Sequence, residues 1–169
     1  MRTVEITIDE NVSAAFARAE LGLGDLTVPL QQIAVAGVSS TDDNFIGQHD
    51  PLGVPWAITK RKEQDSSARI LFMSGDLQNS VIGRGFADYA EWGPEASGGA
   101  GIYAWVQQMG ATIRASASKA LRTPFGPRAS VTIPARPYVG FNDKLEQLTL
   151  QVLGDFILDK FGGGEGVVQ

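Results

Sequence analysis

The stretch Asp143-Lys144-Leu145-Glu146-Gln147-Leu148-Thr149-Leu150-Gln151-Val152-Leu153-Gly154-Asp155-Phe156-Ile157-Leu158-Asp159-Lys160-Phe161-Gly162 is the clearest single element of the chain. Leu145, Leu148, Val152 and Phe156 recur at helical spacing and make one apolar stripe, which Leu153, Ile157 and Phe161 widen. Asp143 is read as the cap, with Glu146 three residues on to complete a capping box. Lys160 complements the negative end of the helix dipole, and Gly162-Gly163-Gly164 ends the helix. A helix with one broad apolar face requires a core to lie on, so the rest of the chain must supply one.

Working back from that helix, Val131 and Ile133 mark a short strand stopped by Pro134, preceded by a loop carrying Pro124, Gly126 and Pro127. Thr112 to Ser118 alternates weakly. Ile102 to Met109 reads as a short amphipathic helix closed by Gly110, and Pro94 to Gly101 as a flexible loop. Phe86, Tyr89 and Trp92 fit a bent strand or hairpin between Gly83 and Gly93. Leu77 and Val81 suggest a short helix or turn leading into a strand, after the apolar run Ile70-Leu71-Phe72-Met73 and a charged segment from Lys60 to Arg69. Gly47 to Pro55 is dense in turn formers and ends on Trp56 as an anchor. A helix starts near Thr27, tolerating Pro29 in its first turn, with Leu30, Ile33, Ala34 and Gly37 on one side. Upstream, Thr3 to Ile8 alternates as a half-buried strand, and Asp9 caps a helix through Val12, Ala15, Phe16 and Ala19 to near Gly22.

No repeat or linker divides these elements. A single domain over residues 1–162 with a flexible tail over 163–169 is the expected organisation. A chain of 169 residues can bury roughly 70 % of the surface its unfolded form exposes. No apolar run approaches the about 20 residues that cross a bilayer, and no signal pattern opens the chain, so a cytoplasmic protein without membrane contact is expected.

The residue inventory removes several chemistries. There is no cysteine, hence no disulfide, thiolate site or cysteine nucleophile, and the one histidine, His49, excludes a histidine-rich metal centre. A net charge of -5 opposes free-standing nucleic-acid binding, which draws on lysine and arginine against phosphates. The charge is nevertheless uneven: Arg114, Lys119, Arg122, Arg128 and Arg136 fall between Thr112 and Asn142, with no acidic residue among them. Such polarity suits either a solvated loop or a basic face that meets an acidic face on the next copy, where charge sets register and on-rate.

Catalytic patterns are weak throughout. Ser39, Ser40, His49 and Asp50 supply the residue types of a hydrolytic triad, without a nucleophile elbow around any serine. Asp42, Asp43 and Asp50 lack calcium-loop spacing, and Gly98-Gly99-Ala100-Gly101 lacks the lysine and hydroxyl of a phosphate loop. Trp56, Tyr89, Trp92, Tyr103 and Trp105 are interleaved with few cations, so they read as core or as buried between subunits rather than as a base-stacking platform.

Four pieces, in order, carry a resemblance. They are Asp50-Pro51-Leu52-Gly53-Val54-Pro55-Trp56-Ala57, then Ile70-Leu71-Phe72-Met73-Ser74-Gly75-Asp76-Leu77-Gln78-Asn79-Ser80-Val81, then Ile102-Tyr103-Ala104-Trp105-Val106-Gln107-Gln108-Met109-Gly110, and finally Ile133-Pro134-Ala135-Arg136-Pro137-Tyr138-Val139-Gly140. Together they resemble the phage virion morphogenesis family, the group that includes the Mu-type G protein and related tail-completion proteins. Gln107 departs from the pattern at a position where relatives commonly carry histidine, and the stretch from Gly83 to Gly101 departs from their usual strand-turn-strand.

The resemblance implies an α+β domain, a small mixed sheet packed against helices, that works as a homo-oligomeric ring, hexameric or of related symmetry. Its expected place is the virion neck and tail, reached from the host cytoplasm during assembly, with neighbouring phage neck and tail proteins as partners. DNA would pass through the ring without sequence-specific contact. The expected role is non-enzymatic, without cofactor or metal: tail completion and head-tail joining. The alternatives are a tail terminator, a capsid-assembly factor or, in another class, a small virion-associated hydrolase. The prolines Pro51, Pro55, Pro134 and Pro137 stiffen loops that present Trp56 and Arg136. Trp56, Trp105, Arg136 and Tyr138 are the candidates for the assembly interface, with the Arg136 fork suited to a neighbour's carboxylate or carbonyls.

Overall fold

A computed structural model describes residues 24–95, 100–116 and 120–162. The expected strand from Thr3 to Ile8, the helix from Asp9 to near Gly22 and the tail over 163–169 lie outside the described residues.

The longest helix is α1 (Thr27–Gly47). Pro29 sits buried in its first turn, where an N–H would have no intrahelical partner. Its inner face is built from Ile33, Ala34, Gly37, Thr41, Asn44 and Phe45, a helical stripe that admits two polar groups because each finds a partner. Thr41 Oγ1 donates to the Gly37 carbonyl at 2.9 Å. Gln48 ends the helix in the left-handed region at φ 56. That position is held on both sides: its side-chain oxygen accepts from Ile70 N at 2.8 Å and its carbonyl accepts from Trp56 N at 3.0 Å.

The chain then crosses a loop to α2 (Lys60–Gln64), capped by Thr59 Oγ1, which accepts from Lys62 N at 3.2 Å. The run Ile70 to Met73 forms a turn, with Leu71 at φ 59 and both Ile70 and Leu71 buried. Arg61 Nη2 ties this turn down by donating to the carbonyls of Arg69 and Phe72. After α3 (Asp76–Asn79), β1 (Val81–Gly85) and β2 (Ala90–Pro94) form an antiparallel hairpin that lies on α1. Gly83 permits this close approach, since a Cβ there would stand 2.7 Å from the Ala34 carbonyl oxygen.

Helix α4 (Ala100–Met109) ends at Gly110, whose φ of 73 turns the chain into β3 (Ala111–Arg114). A small hairpin, β4 (Leu121–Thr123) and β5 (Gly126–Arg128), stands where only a loop was expected; Gly126 at φ 97 makes its turn. Strand β6 (Ser130–Ile133) pairs antiparallel with β3. The last helix, α5 (Asp143–Gly162), packs against α1. Its cap is Asn142 rather than Asp143: Asn142 Oδ1 accepts from Leu145 N at 2.8 Å, while its amide donates to Ser40 Oγ at 3.0 Å. Asp143 and Glu146 remain in the first turn, where their charge favours the dipole.

The architecture is thus α+β, but the expected single mixed sheet is corrected. Among the described residues the strands form three separate two-stranded antiparallel sheets. The strands are short, and proline stops extension at the end of β2 and just past β6.

Candidate functional site

All four sequence pieces that carry the resemblance meet in one place. The core cluster comprises Phe45, Trp56, Ile70, Leu71, Leu77, Val81, Ala104 and Tyr138. Apart from Phe45, each belongs to one of those pieces. Phe45 is the centre, meeting Trp56 edge-on at 5.8 Å and Tyr138 at 5.2 Å between ring centroids.

Around these rings, backbone groups of the loops are satisfied by side chains. Trp56 Nε1 donates to the Pro137 carbonyl at 2.8 Å, and Asn44 Nδ2 to that of Tyr138 at 3.0 Å. Gln108 clamps the 138–139 segment, accepting from the amides of Tyr138 and Val139 at 3.0 and 3.2 Å and donating to the Val139 carbonyl at 2.8 Å. Tyr138 Oη donates to the Ala104 carbonyl at 3.2 Å. Burial pushes the Tyr138 phenol up to about 12, with the nearby Tyr103 adding to the shift.

Arg136 is 5 % exposed. Its Nε donates to the Ala57 carbonyl at 3.0 Å, its Nη1 to Gln107 Oε1 at 3.2 Å, and its backbone N to the Gln107 carbonyl at 2.7 Å. Burial lowers its pKa, partly opposed by Tyr103, but a guanidinium remains charged at any physiological pH. Gln107 therefore supplies a neutral acceptor that does not titrate.

This geometry relocates three of the four interface candidates. Trp56, Arg136 and Tyr138 are 4, 5 and 1 % exposed and take their partners inside the chain. Their prolines stiffen loops so that the side chains turn inward. The Arg136 fork meets carbonyls as expected, but they are its own chain's. Only Trp105 faces outward, at 62 %, beside Met109, also at 62 %, one helical turn away on α4.

Four residues of the hydrolase and cation readings, Ser40, Asp42, His49 and Asp50, make structural hydrogen bonds. Asp50 Oδ1 accepts from the amides of Leu52 and Val54, and the His49 ring bonds the Asp50 carbonyl. Asp42 accepts from Gln78, and Ser40 from Asn142. Among the described residues, no three histidine or carboxylate side chains gather as a metal site.

Beside the hub runs a groove of about 670 Å³ between α2, the β4–β5 hairpin and β6. Ile58, Phe125, Val131 and Ile133 give it an apolar floor and wall, and Lys60, Arg61 and Arg128 give it positive charge against one acid, Glu63. The basic segment of the sequence is only partly gathered here. Arg128 and Arg136 both line the groove, Arg136 from a buried position, and the placement of Lys119 lies outside the described residues.

The hub joins segments far apart in the chain through side chains of the four pieces. A family model for the phage virion morphogenesis family matches residues 8–157. The chain belongs to that family. No curated protein and no solved structure matches it. A phage virion morphogenesis protein acts in assembly of the phage particle, and the motifs of this member build its interior. The amides of Asn44, Gln107 and Gln108 were missed as functional positions from sequence. Gln107-Gln108 stood inside a motif, but nothing in its spacing signals which backbone groups it will satisfy.

Proposed function

We propose that this morphogenesis protein is a non-enzymatic structural subunit of the phage neck and tail junction. It completes the tail and joins it to the filled head as one copy in a closed ring, hexameric or of related symmetry. Neck and tail proteins contact the ring on either side, and DNA passes through without sequence-specific contact. The observation that supports this reading is the division of apolar residues. Among the described residues the core is small, while Met73, Leu52, Leu158, Leu150, Trp105 and Met109 are each more than 60 % exposed. Apolar side chains that adjoin on the surface, as Trp105 and Met109 do one helical turn apart, mark contacts with other proteins, and membership of a virion morphogenesis family supports reading them as assembly contacts.

Electron microscopy of particles from a phage with the gene disrupted, repeated after adding back purified protein, tests the reading. Full heads beside unattached tails, joined on addition, are the expected outcome. Tails of uncontrolled length would move the role to a terminator, malformed heads to capsid assembly, and normal infectious particles would remove the structural role.

A further inference from the structure

We propose that the groove between α2, the β4–β5 hairpin and β6 receives the outer face of α5 from the next copy of this chain. The proposal rests on the ring reading and specifies its contact. On α5, the residues Asp143, Glu146, Leu150, Gly154 and Ile157 follow one another at intervals of three and four, so they form one continuous stripe. This stripe points away from the face on which Leu145 is buried against the body. Leu150 and Ile157 are 65 and 40 % exposed, Leu158 flanks them at 69 %, and both carboxylates are exposed. A helix that exposes Leu150, Ile157 and Leu158 beside acidic residues, opposite the face it already buries, has a second amphipathic surface to cover.

Gly154 interrupts that stripe at its middle. Glycine is a poor helix former, and here, among the described residues, no atom beyond its chain neighbours and the helix's own backbone lies within 4 Å of where its Cβ would be, so no described contact requires it. It leaves a notch in the stripe through which another surface approaches the helix backbone.

The groove matches the stripe in both respects. Its floor is apolar, with Ile58 and Phe125 at 63 and 43 % exposure, and its charge is positive where the stripe carries Asp143 and Glu146. Lys60, Arg61 and Arg128 face the groove, and Lys60 Nζ lies 5.3 Å from the Phe125 ring centroid, ready to exchange that contact for a carboxylate. Groove and stripe lie on different elements, and α5 packs on α1. A copy therefore offers two unlike surfaces, and head-to-tail pairing of unlike surfaces closes into a ring when the rotation permits.

The cysteine-free sequence makes disulfide trapping clean. Ser130, exposed on the groove wall, is replaced by Cys together with Gly154→Cys, and the double variant is oxidised both as purified protein and within assembled particles. A ladder of linked multimers is expected from the double variant in particles. A mixture of the two single variants should give a linked dimer and nothing larger, and adding Leu150→Asp should abolish the ladder without moving the unfolding midpoint. Dimers from Gly154→Cys alone would show α5 pairing with itself and overturn the proposal. Intact, tail-bearing particles that contain the double variant but yield no link would overturn it while leaving the neck role standing. Tail-bearing particles that lack the protein would overturn both.

Discussion

The hub and the outer face of α5 contain similar residue types with opposite fates. In the hub, Trp56 and Arg136 are enclosed, and every loop that reaches them is bound by a side-chain amide, a guanidinium or an indole. On α5 and α4, Leu150, Leu158 and Trp105 stand in solvent. The motifs that carry the resemblance build the interior, whereas the exposed apolar side chains of α4 and α5 lie outside it. In the proposed ring a subunit must hold its shape against neighbours, and a strongly specified interior beside an apolar exterior is consistent with that proposal.

The contrast is broken most directly by replacing Trp56 and Trp105, one from each side of it, with alanine. Trp56→Ala removes a buried ring and leaves the Pro137 carbonyl unpaired, and a loss of about 3–5 kcal/mol in denaturant unfolding is expected. Arg136→Ala is expected to cost about 2–4 kcal/mol, because the Ala57 carbonyl and Gln107 Oε1 stay buried without a donor. It thus acts on the monomer before it acts on assembly. Arg136→Lys should recover part of that loss, since the charge returns without the fork.

Alkaline pH sharpens the same comparison. Tyr138 has its pKa raised from 10.0 to about 12, so the unfolded chain releases this proton first. Its contribution is complete below pH 10 and is lost as pH rises toward 12, by about 2–3 kcal/mol in all. Unfolding midpoints measured across that window should fall in the wild type and fall less in Tyr138→Phe. A smaller effect of opposite sign is expected on the other face. Gly154→Ala fills open space in a helix and should stabilise the free monomer by about 0.4–1 kcal/mol. Trp105→Ala should change monomer stability least, within about 0.5 kcal/mol. Addition of that variant to particles lacking the protein, scored by microscopy, reads any effect on joining.

Gln107 offers a further use of the comparison. Histidine at this position would accept from Arg136 only when neutral, and the adjacent guanidinium opposes its protonation. Gln107→His should therefore make stability fall as pH drops through the histidine range, a dependence absent from the wild type.

Several elements were legible because their signals are local. Pro29 in a first turn, the strand stopped by Pro134, and the glycine that ends α4 appear where the chain's own dihedral restrictions place them. The cap of α5 was misplaced by one residue because Asn142 and Asp143 are both good caps, and only the contact with Ser40 selects between them. The β4–β5 hairpin was read as a loop because its strands are too short to show alternation.

The candidate site was legible as a set of motifs but not as a location. A proline-flanked arginine reads the same whether it faces a neighbour or its own chain, since the acceptors that decide, Ala57 and Gln107, are 79 and 29 residues away. The sequence by itself determined the family, the helix and strand inventory near its prolines and glycines, and the apolar stripe of α5 that faces the core. Only the tertiary structure decided which side chains turn inward, that the described strands pair as separate two-stranded sheets, that α5 leaves Leu150 and Leu158 exposed, and that a basic apolar groove stands open. Those outcomes depend on contacts between distant segments, and the free energy of such contacts is set by burial and hydrogen-bond completion in three dimensions rather than by any local pattern.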